Sequence, residues 1–150
     1  MLKKLVLRNF KSVEDLALPL EALTVLTGLN GSGKSSVLQA IALLKQSLDV
    51  DSSGCNLTLR GPWIQLGRSE DILFEGAKTE EFELAVQSDA EILRWRCDAP
   101  SGRDKLTSKV EGNVSILKKA FAGFQFIQAD RLTPRSEERR VGKECRSRWS

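Results

Sequence analysis

The stretch that decides the fold of this chain is Gly28-Leu29-Asn30-Gly31-Ser32-Gly33-Lys34-Ser35. It satisfies every fixed position of the pattern GxxxxGK[ST], the Walker A phosphate-binding loop. Glycines let consecutive backbone N–H groups turn into one concavity, and a helix beginning near the lysine adds the positive end of its dipole. The pattern therefore predicts a nucleotide-binding loop made by Asn30, Gly31, Ser32, Gly33, Lys34, Ser35 and Ser36.

Three side chains of this loop have separate predicted roles. Lys34 is expected to reach the β- and γ-phosphates and is the first candidate catalytic residue. The Ser35 hydroxyl is expected to ligate Mg²⁺, and Ser36 to contact the α-phosphate. The alternative is a glycine-rich turn with an exposed lysine. The strand–loop–helix setting favours phosphate binding, with ATP and Mg²⁺ as the cofactors.

The segments on either side of the loop supply that setting. The run 23–27, Leu-Thr-Val-Leu-Thr, is rich in β-branched residues and predicts a strand buried on both faces. After the loop, Val37, Ile41, Leu44 and Leu48 fall at helical spacing and predict a helix to residue 48. Further strands are expected at 2–10, 16–20, 81–86, 91–97 and 124–127, a short helix at 114–121, and loops at 49–61 and 99–112.

Composition excludes several classes of protein. The 150 residues are 41% hydrophobic and 29% charged, as in a soluble globular domain, and no apolar stretch approaches the ~20 residues that span a bilayer. A cytoplasmic protein without a membrane partner is expected. Because the chain has no histidine, a serine–histidine or cysteine–histidine nucleophile pair is excluded. Cys55, Cys97 and Cys145 form no CxxC motif and are interpreted as idle thiols.

Residues 136–150 differ abruptly from the rest. They hold five Lys or Arg and three Glu, with no hydrophobic periodicity. A basic arm for nucleic acid is one interpretation. The favoured one is a non-native tail, because the string from Glu138 resembles a vector- or adapter-derived extension.

The stretch Leu5-Val6-Leu7-Arg8-Asn9-Phe10-Lys11-Ser12, followed by 26–41 with its NGSGKSS, resembles the amino-terminal part of ABC-type ATPase heads of the SMC/RecF/OLD group. It is most similar to bacterial AAA-family ATPases of the RecF/OLD kind. The segments 66–74 and 129–135 also resemble those proteins. The resemblance covers residues 1–135.

The resemblance implies an α/β P-loop NTPase fold: a partial ABC-type head whose P-loop lobe has a mixed sheet, with an antiparallel β subdomain at about 63–98. Walker B, the signature motif and the switch residue are expected in a second lobe beyond a truncated chain. Two such heads would sandwich ATP as a homodimer.

The resemblance also implies further site residues. Gln128, after the strand 124–127, fits a glutamine that senses Mg²⁺ and the γ-phosphate better than Gln65 does; an ordinary polar residue at a strand end is the alternative. Lys11 and Ser12 are expected near the nucleotide, with an exposed turn as the alternative. Arg131 and Arg135 are expected to contact a partner, phosphate or DNA, unless they only pair at the surface.

The leading functional hypothesis is the ATP-binding portion of an ATPase in DNA maintenance, repair or phage defence, with DNA or an associated nuclease as further partners. No Walker B pattern is found, so this chain is expected to bind ATP without efficient turnover. A self-contained P-loop kinase and a non-catalytic regulatory nucleotide-binding module are the alternatives.

Overall fold

The computed structural model describes residues 1–89, 91–100 and 102–127. Within these residues, two α-helices, six strands and one 3₁₀ turn follow in the order β1 Leu2–Phe10, β2 Val13–Pro19, α1 Lys34–Val50, β3 Asn56–Thr58, the 3₁₀ turn Ser69–Ile72, β4 Glu81–Ser88, β5 Ile92–Asp98, β6 Lys105–Glu111 and α2 Ser115–Ala120. No helix within the described ranges is long and apolar enough to cross a membrane.

The six strands form one sheet in the order β2-β1-β4-β5-β6-β3. Their side chains alternate between two faces. One face carries buried residues such as Leu5, Leu84 and Trp95, which pack in one core with α1 residues such as Leu43 and Leu44. The other face is polar and charged, and on it Glu83 forms ion pairs with Arg8, Arg94 and Arg96. The alternating strands therefore fix which face receives α1.

Buried polar bonds attach α1 to the chain that follows it. The Gln46 side chain is 1% exposed; its amide nitrogen donates to the Thr58 carbonyl at 2.6 Å, and its Oε1 accepts from the Ile64 N–H at 3.1 Å. The Ser47 hydroxyl accepts from the Thr58 N–H at 2.9 Å. A helix held by its buried amide and hydroxyl groups cannot slide along the sheet without leaving backbone groups unpaired.

The structure confirms the α/β class, the helix after the loop and the hairpin of β4 and β5. Every strand pairing among the described residues is antiparallel, so the expected mixed sheet is not seen there. The antiparallel part expected at about 63–98 instead uses strands from 81 to 111. It joins the amino-terminal hairpin through β1 and β4 in one continuous sheet.

Four local predictions were wrong. Strand β6 lies in the expected loop 99–112, and β3 lies in the expected loop 49–61, because each gains its hydrogen bonds from a distant partner strand. Residues 23–27 and 124–127 form no strand, since no described strand pairs with them. The apolar and β-branched content of a segment therefore did not determine whether it pairs with another strand.

Replacing Gln46 with alanine should lower stability markedly. The change leaves the Thr58 carbonyl and the Ile64 N–H buried without partners, so we expect a loss of about 2–4 kcal/mol in the free energy of unfolding. Urea denaturation measures it, with the exposed Gln125→Ala as a control expected within about 0.5 kcal/mol of the parent. Equal effects of the two changes would contradict the anchoring role.

Candidate nucleotide-binding site

The loop before α1 has the backbone conformation that its glycines permit. Gly31 has φ +85° and Gly33 has φ +86°, both in the left-handed region. Gly33 is also the N-cap of α1 and offers no capping side chain, and the first turn of the helix carries no acidic residue. The first N–H groups of this 17-residue helix therefore have no capping side chain, and an anion bound in the loop would accept their hydrogen bonds.

The Lys34 ammonium group lies across the loop. Its Nζ donates to the Gly28 carbonyl at 2.7 Å, to the Leu29 carbonyl at 2.6 Å and to the Ser32 hydroxyl at 3.3 Å. These bonds tie the first residue of α1 to the first residues of the loop. The positive charge is thus held at the loop itself, where a phosphate would meet it.

The two serines after Lys34 point in different directions, because consecutive helical residues are rotated by about 100°. Ser36 is buried, and its hydroxyl donates to the Ser12 hydroxyl at 3.4 Å. Ser35 is exposed and lines a cavity of about 570 Å³ together with Gln39, Trp63 and Gln65. Ser35 is therefore open to a metal ion or solvent, while Ser36 anchors the loop to the turn between β1 and β2.

That turn carries Lys11 and Ser12, and Ser12 contacts α1 through the bond from Ser36. Lys11 has φ +51°, and its N–H donates to the Ile72 carbonyl at 2.6 Å. Burial lowers the pKa of the Lys11 ammonium group, and the nearby Asp71 carboxylate opposes that shift. A partly desolvated cation interacts more strongly with an anion than a fully hydrated one does.

Three residues predicted from family resemblance, Gln128, Arg131 and Arg135, lie outside the described residues. Gln65, the less favoured candidate beside Gln128, lies on the Ser35 side of the helix because a turn closed by the Gly61 N–H and the Ile64 carbonyl brings it there. The Gly-Pro pair at 61–62 is the sequence signal that could have located this turn.

Among the residues described, the acidic and thiol side chains supply no further metal site or reactive nucleophile. No cluster of three acidic or thiol side chains that would hold a metal ion is found in that part of the chain. Burial raises the pKa of the Cys97 thiol to about 12, and the Cys55 thiol is exposed. Within the described ranges, a magnesium ion would depend on Ser35 and on the phosphates themselves.

The fold and the loop together define a P-loop nucleotide-binding protein. The sequence profile of the AAA ATPase domain matches residues 1–120, and the chain belongs to that family.

Two curated relatives match shorter parts of the chain. An OLD nuclease of Thermus scotoductus is 50% identical over 44 residues, which is 29% of this chain and 8% of the relative. The DNA replication and repair protein RecF of Chlorobium luteolum is 48% identical over 58 residues, 36% of this chain and 16% of the relative. The chain thus covers only a small part of either relative. The resemblance to the RecF/OLD group is confirmed.

The need for glycine in the loop can be tested by comparing the stability of alanine variants in the loop with that of an alanine variant at a glycine elsewhere. Gly31 and Gly102 share a φ of +85° and have open space where a Cβ would be, so alanine at either should cost about 1 kcal/mol of unfolding free energy. A Cβ at Gly33 would lie 3.0 Å from Val13 Cγ2, so Gly33→Ala should cost more, about 2 kcal/mol. Thermal or urea unfolding of the three variants ranks them; a Gly33→Ala variant no less stable than Gly102→Ala would contradict the close packing.

Proposed function

We propose that this chain binds Mg-ATP as the ATP-binding amino-terminal portion of a RecF/OLD/SMC-like ATPase. The observation that carries the proposal is the Lys34 ammonium group held across a glycine loop at the start of an uncapped helix. A lysine charge and convergent backbone N–H groups are the chemistry that a triphosphate requires. The AAA ATPase match to residues 1–120 supports the same conclusion.

In this proposal each residue of the loop has one task. The backbone from Asn30 to Ser36 binds the phosphates, and Lys34 neutralises the β- and γ-phosphate charge. Ser35 supplies a hydroxyl ligand to Mg²⁺ on its exposed side, and bound Mg²⁺ neutralises charge on the phosphates. Ser36, bonded to Ser12, holds the turn that carries Lys11, whose charge we propose to act on the nucleotide.

Efficient hydrolysis, in this proposal, requires groups beyond those of the loop. A carboxylate must complete the metal site, and a residue such as the predicted Gln128 must sense the metal and the γ-phosphate. We propose that a second lobe and ATP-driven homodimerisation supply the remaining groups. The biological role proposed is DNA maintenance, repair or phage defence in the cytoplasm, with DNA or a nuclease as further partners. The names of the two relatives support the DNA-repair and nuclease parts of this proposal.

Replacing Lys34 tests the central step. Equilibrium binding of labelled ATP with Mg²⁺ should be readily detected for the parent chain. Lys34→Ala should weaken it about tenfold to a hundredfold, the loss expected for charge-assisted hydrogen bonds of about 1.5–3 kcal/mol. Lys105→Ala, at an exposed position of β6, removes an equal charge away from the loop and should leave the affinity unchanged.

Two outcomes would overturn this assignment. One is parent ATP affinity no higher than that of Lys34→Ala, which would remove the loop from nucleotide binding. The other is phosphate release by the isolated chain at rates of about 1 s⁻¹ or more, which would remove the need for a second lobe.

The predicted role of Lys11 has its own test. Lys11→Ala should reduce Mg-ATP affinity by about threefold, less than Lys34→Ala, because a partly exposed cation is screened by solvent. Since burial lowers its pKa, the Lys11 contribution should fade at a lower pH than an ordinary lysine's would as pH rises. Affinity measured from neutral to alkaline pH for parent and variant checks both points; identical curves would leave Lys11 as part of a structural turn.

The two alternatives, a self-contained P-loop kinase and a non-catalytic regulatory module, differ from this proposal in their sites or their turnover. A kinase needs an acceptor site with a general base, and the cavity beside Ser35 is lined, among the described residues, by amide, hydroxyl and apolar side chains. A regulatory module would bind ATP without turnover even when joined to any second lobe. Phosphate release assayed with a complete homologous chain separates that case from an ATPase.

A further inference from the structure

The turn between β1 and β2 contains a lysine with a strained backbone. Within the described ranges, Asn9 and Lys11 are the two residues other than glycine with positive φ, each at +51°. Asparagine tolerates this left-handed region, whereas a lysine there is uncommon and must be held by its surroundings. Glycine would adopt the same backbone without strain. A lysine at this position therefore indicates that its side chain has a function.

The backbone of this turn is held by the chain at the end of the 3₁₀ turn. The Lys11 N–H donates to the Ile72 carbonyl at 2.6 Å, and the Phe74 N–H donates to the Asn9 carbonyl at 3.1 Å. Ile72 is fully buried, so these bonds attach the turn to the core. The strained backbone is thus set before a ligand binds, which reduces the ordering that binding would otherwise require.

The Lys11 ammonium group has no hydrogen-bonding partner in the part of the chain that the structure describes. Its side chain is half-buried, yet no hydrogen bond or ion pair joins its Nζ to another described residue. The Asp71 carboxylate attracts this charge without forming an ion pair with it. A half-buried ammonium group of this kind is stabilised by an anion that accepts its hydrogen bonds.

The two residues after Lys11 place the turn at one side of the glycine loop. Ser36, in the first turn of α1, donates to the Ser12 hydroxyl at 3.4 Å. A Cβ added at Gly33 would lie 3.0 Å from Val13 Cγ2 and 3.9 Å from the Ser12 carbonyl oxygen. Because Ser12 accepts the bond from Ser36, its own O–H is left for another acceptor, and no described residue supplies one.

This side of the loop corresponds to one end of a bound phosphate chain. In a Walker A loop the lysine reaches the β- and γ-phosphates, the next serine ligates Mg²⁺, and backbone N–H groups hold the α- and β-phosphates. Ser35 therefore marks the Mg²⁺ side, and Ser36 is rotated from it by about 100° around the helix axis. The turn that contacts Ser36 is consequently directed away from Mg²⁺ and the γ-phosphate, toward the α-phosphate.

We propose that Lys11 and the Ser12 hydroxyl form an anion subsite for the α-phosphate of the bound nucleotide. The inference rests on the ATP binding proposed above and extends it by assigning the two lysines to opposite ends of the ligand. Lys34 neutralises the β- and γ-phosphates, and Lys11 neutralises the α-phosphate. Because ATP and ADP share the α-phosphate, the subsite adds affinity for both without distinguishing between them.

Equilibrium binding of labelled Mg-ATP and Mg-ADP to the full chain tests this assignment. Lys11→Met keeps the apolar stem and removes the charge, so it should weaken both nucleotides by the same factor, about threefold. Lys11→Arg keeps the charge and should bind both within about twofold of the parent. Lys105→Met, at an exposed position of β6, is the matched control and should leave both affinities unchanged.

Lys11→Gly separates the side chain from the backbone. Glycine relieves the left-handed strain, so this variant should melt at a temperature no lower than the parent's while binding both nucleotides as weakly as Lys11→Met. Melting below the parent, or parent-like affinity, would overturn the inference that the lysine is present for its charge.

The two nucleotides distinguish failure of the subsite from failure of ATP binding itself. If Lys11→Met weakens ATP alone, or neither nucleotide, the α-phosphate subsite is overturned and the ATP binding proposed for Lys34 stands. Equal losses in Lys11→Arg and Lys11→Met would also overturn the subsite, because the charge would then have no effect. A parent chain that binds neither nucleotide would overturn the proposed function and the subsite together.

Discussion

The bonds from the Lys34 ammonium group to the Gly28 and Leu29 carbonyls are the interaction on which the site depends. They close the glycine loop onto the first residue of α1 and leave the N–H groups of the helix free. The closure is possible because Gly31 and Gly33 adopt left-handed backbone conformations at no steric cost. A side chain at either position would strain the loop that carries the positive charge.

The loop keeps this geometry because α1 is attached to the sheet at several points. Gln46 and Ser47 bond to the chain after the helix, and Ser36 bonds to Ser12 in the turn between β1 and β2. The turn between β1 and β2 thus carries Lys11, while Lys34 lies across the glycine loop.

The site could be predicted more fully than the fold. The loop, its lysine and the following helix were all predicted, because a phosphate-binding loop is a local feature whose residue types and spacing are dictated by its chemistry. Strand assignments were less reliable. Runs with similar apolar content diverged: Glu81–Ser88 found partners on both sides, whereas residues 23–27 found none among the described residues.

By itself the sequence determined the glycine loop, the helix that begins at Lys34 and the alternation that gives the sheet a buried and a charged face, since these depend on neighbours within a few residues. Only the tertiary structure decided that the amino-terminal hairpin and strands β4–β6 form one sheet, that Gln65 shares a cavity with Ser35, and that residues 23–27 pair with no described strand. Those features depend on which distant segments supply hydrogen-bond partners, and pairing between distant segments leaves no local periodicity to detect.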